Sequence, residues 1–226
     1  MKQKTVGILI TKKNYSESSL ILSLYSEDSG LISFIFKGAK KKKLPIFYLG
    51  IYEITYFKRP ESNLGIVNSI DPAVVLTDIF TNPQKLILSF FLVDVLKETL
   101  KVEHPDIEIF NFIKNQILQL EVQESLIHFP IKFLTSLIQH LGFSPIINEK
   151  NPKGFDLKSG RFIQEKTDLD VASIELLHAS FTNSTLIYDK ATSQNALIIL
   201  MDYYRSHLPN FNVEKSLKII RETLYV

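Results

Sequence analysis

The sequence predicts an α+β fold class, with a small five-stranded β module at the N-terminus followed by an all-helical C-terminal domain. Three observations lead there. Between Thr5 and Ile70 the apolar runs are short and rich in Ile, Val, Phe and Tyr, the residue types that fit a pleated, half-buried surface. After Asp71-Pro72 the apolar residues recur every three or four positions, which is the helical period. The chain has 226 residues, 45% of them hydrophobic and 22% charged, so it can hold its cores without covalent staples.

Taken in order, the strands fall at 5–13, 19–26, 31–38, 51–59 and 64–70. In the second, Leu20, Leu22 and Leu24 face one way and Ser19, Ile21, Ser23 and Tyr25 the other, the period-2 signature of a strand with one buried face. Asp28-Ser29-Gly30 is a turn, since Gly30 tolerates positive φ. The third strand is apolar on both faces and is placed centrally. Five strands in about 70 residues make a small barrel or sandwich. The longest connection, Ala39–Gly50, carries a lysine run and Pro45.

Helices are expected at 84–101, 106–120, 126–141, 168–180, 191–207 and 213–224. Asp106 and Asn212 can cap two of them at the N-terminus, Gly142 suits the left-handed end of a third, and Pro209 stops a fourth. The polar stretch Asn148–Gly160, with Pro152 and Gly154, reads as a loop. The domains are therefore expected at 1–76 and 77–226, the second interrupted by a loop at 146–166.

Several function classes are excluded or disfavoured. There is no cysteine, so no disulfide, thiolate zinc site or cysteine nucleophile exists. The N-terminal apolar stretch Val6–Ile10 is too short for a secretory signal, and no run reaches membrane-span length; a cytoplasmic location is expected. The histidines at 104, 128, 140, 178 and 207 match no metal spacing. Gly154 and Gly160 enclose five residues and are followed by Arg161, which is not a phosphate-binding loop. The expectation is a protein that is not an enzyme.

Charge gives the strongest positive signal. Residues 1–78 hold eleven Lys/Arg against seven Asp/Glu, while the whole chain is only +2. The excess concentrates in Lys37, Lys40, Lys41, Lys42 and Lys43, with Lys12, Lys13, Lys58 and Arg59 at the ends of the first and fourth strands. Adjacent ammonium groups repel, and phosphate esters would relieve that repulsion while releasing counterions. On a small barrel, strand ends and loops share a rim, so these groups are expected to converge. The other reading is a solvated charged loop. Tyr15, Tyr48, Tyr52 and Tyr56 lie among the basic positions and could stack bases, although Tyr52 and Tyr56 are better read as core. In the helical half, Arg205, Lys215, Lys218 and Arg221 could rim a groove for an acidic protein tail with an apolar end.

The string Gly7-Ile-Leu-Ile, then Glu17-Ser-Ser-Leu-Ile-Leu22, then Gly30-Leu-Ile-Ser-Phe with Lys37-Gly38-Ala39, resembles the N-terminal domain of the RecO family of DNA repair proteins. The resemblance extends through Leu141-Gly-Phe-Ser-Pro145 and, at the end of the chain, through Arg205, His207-Leu208 and Leu217-Lys218. It implies an OB-fold followed by a helical domain, and a recombination mediator that binds single- and double-stranded DNA and anneals complementary strands. It further implies loading of RecA onto strands coated by single-strand binding protein, with RecR and the C-terminal tail of single-strand binding protein as partners. In the family, the KGA motif and its following basic positions correspond here to Lys37-Gly38-Ala39 and Lys40–Lys43. Many members carry a four-cysteine zinc segment after the LG-aromatic-x-P turn. Here Ile146–Arg161 has no cysteine, so no metal site is carried over and no cofactor is expected. The alternative function is an adaptor whose barrel docks a protein rather than DNA.

Overall fold

A computed structural model describes residues 2–42, 44–59, 61–100, 105–184 and 188–225, Lys42 through its backbone alone. The expected α+β architecture is present. Strands β1 (Lys2–Asn14), β2 (Leu20–Ser26), β3 (Gly30–Phe36), β4 (Ile51–Phe57) and β5 (Leu64–Pro72) close into a barrel in the order β1-β2-β3-β5-β4. Every pairing is antiparallel except β3 with β5. Closure depends on β1, which is long enough to pair with β4 through Lys2–Ile8 and with β2 through Gly7–Asn14. Gly7 stands where the two pairings overlap. A Cβ there would lie 2.9 Å from the Cβ of Leu24, so the wrap needs a residue without a side chain. The barrel is filled by Leu9, Leu22, Leu24, Phe34, Phe36, Tyr52, Ile54 and Tyr56, all nearly inaccessible.

The lysine-bearing connection is not a simple loop. Gly38 adopts φ 69°, a left-handed turn that an L side chain resists. That turn directs the chain into a short helix, α1 (Ala39–Lys42), and Ala39 buries its methyl group in the barrel core. From there the chain runs back along β1, where Leu49 N–H donates to Leu9 O (2.9 Å) and Leu9 N–H to Gly50 O (3.0 Å).

The chain divides into two compact units at Val122/Gln123 rather than at the strand-to-helix transition at 76/77. The first unit keeps α2 (Asp78–Thr81), α3 (Pro83–Thr99) and α4 (Ile107–Val122) with the barrel. A polar clamp explains why these helices stay together. The Glu121 carboxylate, near the end of α4, accepts from the main-chain N–H groups of Thr77 (2.7 Å), Asp78 (2.8 Å) and Ile79 (3.0 Å) at the start of α2. From α3, the buried Lys85 ammonium donates to Glu121 O at 2.7 Å and pairs with Asp78. Desolvation works to raise the carboxyl pKa of Glu121, but the N–H donors of Asp78, Ile79 and Thr77 outweigh it and hold the group below the ordinary range. As expected, Asp106 caps α4, accepting from Glu108 N–H and Ile109 N–H.

The second unit contains α5 (Phe129–Leu141), α6 (Val171–Phe181), α7 (Lys190–His207) and α8 (Glu214–Leu224). The segment expected as a loop at 146–166 holds a two-stranded hairpin, β6 (Gly154–Asp156) and β7 (Arg161–Ile163). Its strands are three residues each, too short for an alternating pattern to show in sequence. Aromatic packing fixes it. Phe155 and Phe162 face each other in register, stack at 4.6 Å and are buried, and Phe155 also meets Tyr203 of α7 at 5.3 Å. The Tyr203 hydroxyl donates to Phe143 O at 2.6 Å, and burial pushes its pKa up to about 12.

Candidate nucleic-acid interface

The barrel's strand register decides which basic residues meet. Asn14 pairs with Leu20 and Leu20 with Phe36, so the end of β1, the β1–β2 loop and the start of α1 share one end of the barrel. Contacts tie them together. Lys40 N–H donates to Ser18 O (3.2 Å), and its ammonium donates to Ser16 O (2.9 Å). The Lys12 ammonium donates to Ile46 O at 2.8 Å. Lys13, Lys37 and Lys41 are exposed around these anchored groups, and Tyr15 in the same loop is 59% exposed. The loop also carries Glu17.

Lys12 and Lys40 bond to main-chain carbonyls. A carbonyl fixes the position of an ammonium group without cancelling its charge, and it leaves two of the three N–H donors free. The result is a positioned cationic rim with donors still available for phosphate oxygens.

Lys58 and Arg59 do not join this rim, which corrects the expectation that all strand-end cations converge. They follow Phe57, which pairs with Lys2, so they occupy the opposite end of the barrel. Lys2 and Lys12 are separated by ten residues of β1, or about 30 Å along the strand. Lys58 instead lines a small cleft with Ser29, Leu31, Ile32 and Asn63. The sequence marked both groups as strand ends but did not indicate which end. Lys43, and the side chain of Lys42, lie outside the described residues.

The expected aromatics also separate. Tyr52 and Tyr56 belong to the core: the Tyr52 hydroxyl accepts from Phe47 N–H at 2.8 Å, and Tyr56 meets Phe34 edge-on at 4.8 Å. Burial raises the pKa of both phenols. Tyr48 remains at the surface of the rim. One residue there was not anticipated. Lys97 of α3 places its ammonium 5.3 Å from the centre of the Tyr48 ring, and Lys12 lies 5.6 Å from the same ring.

The four cations proposed for a protein tail are arranged differently. Arg205 near the end of α7 pairs with Asp202 on its own helix and with Glu214 at the start of α8. Lys218 lies 3.9 Å from Glu222. Arg221 is half-buried, whereas Lys215 is exposed. Arg205 therefore joins two helices instead of rimming an open groove.

Among the described residues, no group of three or more His, Cys, Asp or Glu side chains is placed to hold a metal ion, and no helix is long and apolar enough to cross a membrane.

Comparison with known proteins matches residues 1–74 to the family described as recombination protein O, N terminal. Similarity continues well beyond that segment. The DNA repair protein RecO of Flavobacterium johnsoniae is 28% identical over 234 residues, covering 98% of this chain and 99% of that protein. The protein of the same name from Bacteroides fragilis is 27% identical over 239 residues, with the same coverage. That of Christiangramia forsetii is 24% identical over 232 residues, covering 96% of this chain and 97% of its own.

Proposed function

We propose that this chain, which matches the recombination protein O family over residues 1–74 and resembles RecO proteins along nearly its whole length, is a DNA-binding recombination mediator in DNA repair. On this reading it anneals complementary strands and helps load RecA onto single-stranded DNA coated by single-strand binding protein. It acts without catalysis, in the cytoplasm. The observation that carries the reading is the barrel rim, where Lys12 and Lys40 are fixed by carbonyls at 2.8 and 2.9 Å while Lys13, Lys37 and Lys41 stand exposed beside them.

The mechanism follows from the chemistry of that rim. Ammonium groups neutralise phosphates and release counterions. With its backbone charge lowered, a bound strand admits a second strand with less repulsion. Because the contacts are to backbone, the grip is indifferent to sequence, as annealing of any complementary pair requires. RecR and the acidic C-terminal tail of single-strand binding protein are the proposed protein partners.

Strand annealing with and without single-strand binding protein tests the proposal, since it reads DNA contact and partner contact together. Annealing accelerated by the chain, and lost when Lys40–Lys43 become alanine, is the expected result. No acceleration in either condition overturns it.

The adaptor reading draws on a different surface. Phe47, Tyr52, Val75 and Phe80 line an apolar cleft of about 180 Å³, with Val75 83% exposed. An adaptor predicts negligible binding of a single-stranded oligonucleotide at moderate salt.

A further inference from the structure

One part of the first unit presents aromatic rings and ammonium groups together. On α3, Leu88, Phe91, Leu92, Val93, Val95 and Leu96 are buried, whereas Phe90 is 43% exposed. Exposing a phenylalanine forgoes the burial that its neighbours obtain. Phe90 and Lys97 are separated by seven residues, two helical turns, and so share one face of α3. That face meets Tyr48, whose ring lies edge-on to Phe90 at 5.8 Å. Ammonium groups from two different elements converge on Tyr48, Lys12 from β1 and Lys97 from α3. The Asp94 carboxylate, 3.1 Å from Lys97, holds that side chain toward the face and offsets part of its charge.

Aromatic faces flanked by cations suit a ligand that alternates flat π-systems with anions. An unpaired nucleic-acid strand has that character, one base and one phosphate per repeat. In a paired duplex the base faces are already stacked on one another. Charge selects against the other candidate for an apolar face, a protein helix, because its aliphatic anchors would bring no anion to Lys12.

We propose that Tyr48 and Phe90, framed by Lys12 and Lys97, form a stacking site for the bases of an unpaired DNA strand whose backbone continues onto the rim lysines. The site deepens the mediator function and rests on it. It assigns a task to α3, a helix outside the barrel. It also gives strand annealing an orienting step, since bases held by one face keep their pairing edges free.

The chain contains no tryptophan, so Phe90→Trp supplies a single reporter at the exposed position. The probes are an oligothymidylate and an abasic strand of equal length, with binding followed separately by anisotropy of a dye on the strand. The expected result is that both strands bind and only the oligothymidylate quenches the tryptophan. Tyr48→Ala and Phe90→Ala should each weaken oligothymidylate binding about tenfold and leave the abasic strand unaffected, with circular dichroism showing the fold intact. Equal quenching by both strands, no quenching despite binding, or equal loss of both strands in the alanine variants overturns the stacking site and leaves the mediator function standing. Failure of the unmodified chain to bind either strand overturns both.

Discussion

The barrel rim and the α7–α8 junction each gather several cations, yet they differ in what those cations face. At the rim, Lys12 and Lys40 bond to main-chain carbonyls. At the junction, Arg205 bonds to Asp202 and Glu214, and Lys218 approaches Glu222. Both arrangements satisfy N–H donors, but only the second cancels charge. A count of Lys and Arg in the sequence cannot distinguish them. A polyanion senses the difference directly, because counterion release depends on net field and not on residue totals.

The largest expected effect tests this contrast. Replacing Lys13, Lys37 and Lys41 with alanine should lower affinity for single-stranded DNA at low salt by tenfold or more. It should also flatten the plot of log affinity against log salt by about 2, since each lost phosphate contact removes roughly 0.7 from the slope. The matching triple change of Arg205, Lys215 and Lys218 should leave that slope alone. Equal effects from the two variants would abolish the distinction.

A second test concerns the unit that carries the rim. Glu121→Gln weakens the cap on α2 and should cost about 1 kcal/mol of stability, read by urea unfolding. The sign with pH is fixed by the depressed carboxyl. Its contribution is fully present above the ordinary value of 4.5 and is lost as pH falls through the lower folded value. Acid unfolding of the parent chain should show this loss, and the Gln variant should lack that component.

Smaller still is Arg205→Ala. Its ion pairs are partly exposed, so the expected cost is below about 1 kcal/mol, with DNA affinity unchanged. Smallest is the change of Lys58 and Arg59 to alanine. Because they stand at the far end of the barrel, the salt slope for a short oligonucleotide should stay within error of the parent value. A slope change like that of the rim triple would show that the strand spans the barrel from end to end.

How much was legible in the sequence can be seen in particular elements. The alternation of Leu20, Leu22 and Leu24 marked β2 because a barrel wall buries one face. The apolar rhythm of 84–101 marked α3, and Asp28-Ser29-Gly30 marked a turn, where Gly30 adopts φ 63°. The β6–β7 hairpin was not legible. Its strands are three residues long and its stability comes from Phe155 on Phe162 and on Tyr203, a partner more than forty residues away in the chain. The meeting of Phe90 and Lys97 with Tyr48 was not legible either, since nothing local reveals that α3 lies against that ring.

By itself, the sequence determined the order and type of the principal elements, the absence of cysteine chemistry and the N-terminal concentration of positive charge. These follow from local periodicity and composition, which a linear reading samples completely. Tertiary structure alone decided that Lys58 and Arg59 stand apart from the rim, that Arg205 is neutralised and that Glu121 and Lys85 tie α2, α3 and α4 to one another. Each of these depends on strand register or on contacts between distant residues, and both are set by closing the barrel and packing the helices, not by any neighbour in the chain.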